Sequence, residues 1–206
     1  MQVTKLQPLD KKRYIVYVDD SVAFVLYKGD LFTYRIEEGQ EISEASYDSI
    51  CQEILPKRAL LRLGHLLEKR DYTEKQLRDK LREGYYPVPA IDYAINKVKG
   101  YGFVDDERYA MRYIECSLAK KSKNRIKSDL FLKGVDKDTI ERAFDNLEEE
   151  GTAQDEGALV RAILTKRHYY ENERTAKDKA KQMNYLLGKG FSMSVIKSEL
   201  ELDITL

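Results

Sequence analysis

The chain has 206 residues, 42% of them hydrophobic, enough to bury a core in one or two domains. Its 36 Lys and Arg balance 36 Asp and Glu, which excludes a polycation that coats nucleic acid through bulk charge; any steering must come from how charge is distributed. Charged residues make up 35% of the chain, above the ~25% usual for soluble domains, so solvent-bathed helices with limited core per residue are expected.

In chain order, Tyr14, Val16 and Val18 alternate with Ile15 and Tyr17, the pattern of a strand dense in β-branched and aromatic residues. Asp19-Asp20-Ser21 follows as a turn. Val22–Tyr27 and Leu31–Ile36 form two more predicted strands, separated by Lys28-Gly29-Asp30 and closed by Glu38-Gly39, which gives a small antiparallel meander. From Ser43 the period changes: Tyr47, Ile50, Cys51 and Ile54 share one helix face, capped by Ser43 and stopped before Pro56. Residues 1–56 are thus expected to form a β meander and helix extension.

After Pro56 everything reads as helix. Leu60, Leu63 and Leu67 mark the first. Thr73-Glu74-Lys75-Gln76 is a capping box that opens the second, with Leu77 and Leu81 inward and Gly84 at its end. Pro87 and Pro89 start the third, whose face is Ile91, Ala94, Ile95 and Val98.

The chain then repeats itself. A shift of 49 lays Ile91, Ala94, Ile95 and Val98 on Ile140, Ala143, Phe144 and Leu147, and Gly102 on Gly151. The same shift lays Asp106, Glu107, Arg112 and Ile114 on Asp155, Glu156, Arg161 and Ile163. The middle helices end at Gly84, Gly134 and Gly190, whose unequal offsets predict helix lengths that vary by a residue or more. The expected fold is mainly α: three tandem three-helix repeats over 57–103, 104–151 and 152–206, stacked into an elongated curved array. The last helix is expected over Ser192–Leu202.

Catalysis needs converging polar groups, and few candidates stand out. His65 lies in a leucine-rich helix and His168 beside Tyr169-Tyr170, neither with a second His or Cys at metal-ligand spacing. No nucleophile elbow, P-loop or dinucleotide fingerprint is present. Cys51 and Cys116 lie in helical patterns and read as buried thiols of a reducing compartment, without a disulfide framework. No apolar run approaches the ~18 residues of a membrane span, so a soluble, cytoplasmic protein with no membrane partner is expected. No catalytic residue, metal or cofactor is expected.

Asp105-Asp106-Glu107 is the densest carboxylate group, and its simplest role is to cap the following helix and favour its positive end. Glu148-Glu149-Glu150 closes a helix, an unfavourable place for carboxylates. The basic run Lys120, Lys121, Lys123, Arg125 and Lys127 joins the first two helices of the middle repeat and could hold phosphates or an acidic protein surface. Its counterpart in the third repeat, Lys166, Arg167, His168, Tyr169 and Tyr170 through Arg174 and Lys177, is also basic and carries aromatics. These cations are the candidate partner-binding residues.

The stretch Phe103-Val104-Asp105-Asp106-Glu107-Arg108-Tyr109-Ala110 closely resembles the signature opening the second repeat of the RecX family, an apolar residue followed by D-D-x-R-[FY]-A. Arg125-Ile126-Lys127-Ser128-Asp129-Leu130 with Lys133-Gly134-Val135 is similar to that family's R-I-x-x-x-L and K-G-[IV] segment. Gly190-Phe191-Ser192 resembles the G-F-S step of its third repeat. The meander with Arg13-Tyr14 and Val18-Asp19 resembles the extension of members from Gram-positive-type bacteria. The matches run in order along nearly the whole chain. They depart at Ser122-Lys123-Asn124, where the family usually has glycine, and before Gly84, where a residue is lost.

The resemblance implies a non-enzymatic regulator that binds the RecA filament on single-stranded DNA. It would limit ATP hydrolysis, strand exchange and co-protease activity, acting in DNA repair and the SOS response, and as a monomer. Asp105, Asp106, Arg108, Tyr109 and Ala110 are then the family-motif residues. The alternative is a helical-repeat protein acting directly on single-stranded or duplex DNA. A metal-dependent nuclease at Asp105 and Asp106 is a third reading.

Overall fold

Alternating apolar residues make the first 27 positions a three-stranded antiparallel sheet of order β1-β2-β3, with β1 Val3–Pro8, β2 Arg13–Val18 and β3 Ser21–Tyr27. Asp19 and Asp20 both take the left-handed backbone (φ 46° and 63°) that matches a two-residue hairpin to strand twist. Val16 and Val18 of β2 and Phe24 and Leu26 of β3 face a core completed by Val3, Ile36, Ile42, Ile50 and Leu55. The computed structural model describes residues 1–171 and 175–200, and the chain falls into two compact units, Met1–Asp105 and Asp106–Leu206.

Two expectations for the extension are corrected. Leu31–Ile36 is not a strand: α1 spans Lys28–Thr33, and the third strand is the preceding Val3–Pro8. The reason is a tertiary ion pair. The Asp30 carboxylate accepts from the Tyr27 amide at 2.8 Å and forks onto Arg58 at 2.6 and 2.8 Å, which fixes the turn after β3 as helical. Nor does Pro56 stop the next helix. α2 Glu44–Ser49, capped by Ser43, passes through a π turn at Ile50–Ile54 into α3 Leu55–Leu67. The widened turn, in which the Leu55 amide donates to the Ile50 carbonyl, accommodates a residue that has no N–H and whose ring crowds the preceding turn.

The Asp30–Arg58 pair ties α1 to α3, and the Arg58 guanidinium also lies 4.8 Å over the Tyr27 ring. Burial pulls the Asp30 carboxyl upward, but Arg58 and the Tyr27 amide more than offset it and hold it below its ordinary 3.8. A carboxyl lowered in the folded state stabilises fully above its unfolded value and ceases to do so as pH falls through the folded one. Arg58→Ala is therefore expected to cost about 1–3 kcal/mol near neutrality. Urea melts taken below and above pH 3.8 should show the deficit shrinking in acid; a deficit independent of pH would assign Arg58 a packing role only.

The remainder of the first unit is α3, α4 Glu74–Arg82 and α5 Val88–Gly100, closed around Ala59, Leu63, Leu77, Leu81, Ile91 and Ile95. The second unit repeats this plan twice. In the first copy α6 Asp106–Ser117, α7 Lys123–Leu132 and α8 Lys137–Glu149 enclose Ile114, Ile126, Leu130 and Ile140. In the second, α9 Glu156–Lys166, α10 Ala176–Gly188 and α11 Met193–Glu199 enclose Val160, Leu164, Leu186 and Ile196. The protein is mainly helical, three three-helix domains behind a small sheet. Truncating any one of these buried leucines to alanine costs about 2–5 kcal/mol. The predicted helix end at Leu202 lies outside the described residues. No described helix is long and apolar enough to cross a membrane.

The repeat register differs from the sequence alignment in two places. The 49-residue offset holds through the middle helix, because Thr73 and Ser122 are both N-caps and Leu81 and Leu130 both accept the bond that closes the helix end. The left-handed residue there is Tyr85 (φ 58°), the counterpart of Gly134 (φ 94°), so Gly84 is not the terminating glycine. Beyond Thr152 the register steps by one residue. Val160 and Leu164 take the buried places of Ala110 and Ile114, fifty residues earlier. Asp106 and Asp155, Glu107 and Glu156, Arg112 and Arg161, and Ile114 and Ile163 are therefore not structural equivalents. Cys116 is also exposed rather than buried, since it lies off the Ala110–Ile114–Ser117 face; Cys51 is partly exposed.

Candidate partner interface

The basic run of the middle repeat is held down along its backbone. Ser122, 1% exposed, caps α7 by accepting from the Arg125 amide at 3.2 Å and donates its own hydroxyl to the Lys189 carbonyl at 2.8 Å. The Lys123 amide donates to Glu156 Oε1 at 2.7 Å, and Gln154 Nε2 donates to the carbonyls of Lys121 (2.7 Å) and Leu118 (2.5 Å). Apart from the Ser122 cap itself, these contacts come from the last repeat, so this segment joins the last two three-helix bundles.

Its side chains are mostly matched. Lys121 Nζ lies 2.8 Å from Asp129 and donates to the Tyr113 hydroxyl at 2.8 Å. Arg125 Nε is 3.2 Å from the same Asp129, Lys127 Nζ is 2.5 Å from Glu141, and Lys123 pairs with Glu148. Burial raises the Asp129 carboxyl, but bonds from Lys121 and Tyr113 outweigh it and hold the group below the usual range. The Asp129 bond in turn holds the Lys121 ammonium above its ordinary value. Glu148, unfavourably placed at the end of α8, owes its lowered pKa to Lys123. Lys120 is exposed and has no ion pair among the described residues. Lys121→Glu with Lys123→Glu would set carboxylates against Asp129 and Glu148. A lower midpoint in chemical denaturation is expected, partly relieved by salt; an unchanged midpoint would show that these pairs contribute nothing.

The third-repeat cations are arranged differently. Lys166 and Lys177 are exposed, and Arg174 lies outside the described residues. Arg167 Nε donates to Gln182 at 2.6 Å while its guanidinium stacks 3.9 Å over the Tyr185 ring. His168 stands at φ 56° with Nδ1 2.9 Å from Glu171; Tyr169 is buried and meets exposed Tyr170 edge to face at 5.4 Å. Along α10, Lys177, Lys181 and Tyr185 recur every fourth residue, and Lys189 Nζ lies 5.5 Å from the Tyr185 ring. Lys177, Lys181 and Lys189 are exposed without an ion pair among the described residues. Lys177 is among the cations expected from the sequence; Lys181, Tyr185 and Lys189 are not, although the four-residue spacing within the helix carries the first two.

The family-motif residues build the start of α6. The helix begins at Asp106 directly after Asp105, where carboxylates favour its positive end. Glu107 reaches Arg142 at 3.4 Å and Asn146 at 3.0 Å, tying α6 to α8. Ala110 is fully buried, and Tyr109 stacks on Tyr113 with ring centroids 6.5 Å apart. Among the described residues no group of three or more His, Cys, Asp or Glu could hold a metal ion.

Three family matches follow this architecture: the first, second and third three-helix domains of RecX, at residues 64–97, 105–143 and 154–200. A protein of Caldanaerobacter subterraneus named Regulatory protein RecX is 30% identical over 204 residues, 98% of this chain and 100% of that one. One of the same name from Clostridioides difficile is 29% identical over 204 residues, 96% and 93% of the two chains. A crystal structure of a regulatory protein RecX shares the fold with a TM-score of 0.64 at 24% identity, covering 97% of this chain and 98% of that one. The RecX of Lactobacillus salivarius shares it at 0.58 and 24% identity, over 72% of this chain and 96% of that one.

Proposed function

The chain belongs to the RecX family, and we propose that it is a non-enzymatic cytoplasmic regulator that binds the RecA recombinase filament on single-stranded DNA. Its effect is to restrain ATP hydrolysis, strand exchange and co-protease activity, and so DNA repair and the SOS response. One observation carries this reading: the likeness to a protein named as regulatory spans 98% of the chain, with Asp105–Ala110 in its place at the head of α6. Repeated bundles supply extended contact without a deep catalytic pocket, which suits a filament partner.

We place the contacts first on the α10 stripe with Lys166 and Arg167. Lys120 through Lys127 come second, since a phosphate or acidic partner there must displace Asp129, Glu141 and Glu148. Titrating the protein into RecA hydrolysing ATP on single-stranded DNA should lower the rate at micromolar concentration. No change in hydrolysis, strand exchange or filament length would sink the proposal.

The stripe also favours a second reading, direct binding of nucleic acid, with phosphates on Lys177, Lys181 and Lys189 and a base against Tyr185. Affinity for naked single strands that falls steeply with salt, without RecA, supports it. A duplex reader is disfavoured by Asp92, Glu141 and Asp145 on the third helices of the first two bundles.

A further inference from the structure

The first bundle carries an apolar groove between α3 and the end of α5, a different place from the α7–α8 cleft of the middle bundle. Leu60 and Leu61 of α3 form one wall and Val98, Tyr101 and Phe103 at the end of α5 the other, around about 500 Å³. Leu61, Tyr101 and Phe103 are 65%, 62% and 62% exposed. Gly64 lies in the floor, where a Cβ would meet no atom within 4 Å.

Packing does not require this surface. Ala59, Leu63 and Leu66 occupy the buried places of Ala110, Ile114 and Ser117, which aligns Leu61 and Gly64 with Arg112 and Glu115. Tyr101 and Phe103 align with Glu150 and Thr152 through the 49-residue offset. The last bundle has Ala162 and Thr165 at the α3 positions. Among the described residues the other bundles expose no large apolar group at these places, and a contiguous exposed patch marks a contact surface.

Charge indicates the occupant. In a chain of equal opposite charges, α3 holds Lys57, Arg58 and Arg62 with no carboxylate, and α5 holds Lys97 and Lys99 with Asp92 alone. Arg58, Lys99 and Asp92 are matched by Asp30, Glu74 and Arg78. Lys57, Arg62 and Lys97 have no ion pair among the described residues. Glu68, 3.5 Å from the His65 ring, is the carboxylate lining the groove.

We propose that this groove seats an acidic amphipathic helix of a partner protein, whose large apolar side chains enter over Gly64 while its carboxylates meet Lys57 and Lys97. Such binding uses anchors spaced one turn apart. A second copy of the chain is the poorer occupant: stable association of two folded surfaces takes about 800 Å² from each, and the basic rims would face one another. The site belongs to the first unit and the α10 stripe to the second, and the proposal does not depend on RecA being the partner.

The test uses the full chain and two fluorescein-labelled synthetic helices. Both carry leucine and phenylalanine on one face, at positions i, i+4 and i+7; the other face is glutamate in one and lysine in the other. The glutamate helix should bind saturably and at least about tenfold more tightly than the lysine helix. Leu61→Glu and Gly64→Leu should each weaken it about tenfold or more, with thermal melts near the parent's because both positions are open. Absence of saturable binding, equal binding of the two helices, or indifference to both substitutions overturns the proposal. So does a dimer in sedimentation that Leu61→Glu dissociates.

Discussion

Gly190→Ala is expected to lose about 2–4 kcal/mol of unfolding free energy. Two costs coincide. Gly190 takes φ 86°, a left-handed conformation that an L side chain adopts only with strain. An added Cβ would also stand 2.8 Å from Ser122 Oγ and 3.2 Å from the Arg125 amide. That hydroxyl caps α7 and donates to the Lys189 carbonyl, so moving it breaks the cap and the seam between the last two bundles together. Gly188→Ala, two residues away inside α10 with nothing within 4 Å, should be neutral or stabilising by up to about 1 kcal/mol. Urea denaturation of the pair decides the matter. Equal midpoints would mean that the seam is loose enough to absorb a methyl group.

The second large effect concerns function. Lys177→Glu, Lys181→Glu and Lys189→Gln together should weaken the action on RecA about tenfold or more, at an unfolding cost within about 1 kcal/mol. The cost is small because none of the three lysines has a carboxylate to lose among the described residues, and a glutamate at 177 suits the first turn of α10. If the contacts are with single-strand phosphates, the salt slope should fall by about 0.7 for each lysine engaged. The linker variant Lys121→Glu with Lys123→Glu should behave in the opposite sense, losing stability in proportion to any loss of activity. Wild-type activity in the α10 variant would move the interface away from the third bundle.

Much of this was legible from the residues because it is local. The Thr73 capping box and the Ser43 cap appear where short-range hydrogen bonding puts them. The inward faces Ile91–Val98 and Ile140–Leu147 follow from the helical period. Order and spacing of Asp105–Ala110, Arg125–Leu130 and Gly190-Phe191-Ser192 sufficed for the family. Register is harder to read, since glycine is an incomplete marker of it. The left-handed position needs a backbone angle rather than a residue type, and Tyr85 supplies it as Gly134 does.

By itself, then, the sequence determined three helical bundles, most of their inward faces and the family to which they belong, because periodicity and capping act over a few residues. Only the tertiary structure decided that Leu31–Ile36 opens on the end of a helix, since Arg58 holds Asp30 from 28 positions away. Only it decided which cations remain open. Lys123 and Lys127 lie in the same basic run as Lys120, yet find Glu148 and Glu141 on α8. Charge is a property of a residue, but its availability to a partner depends on what the folded chain has already placed beside it.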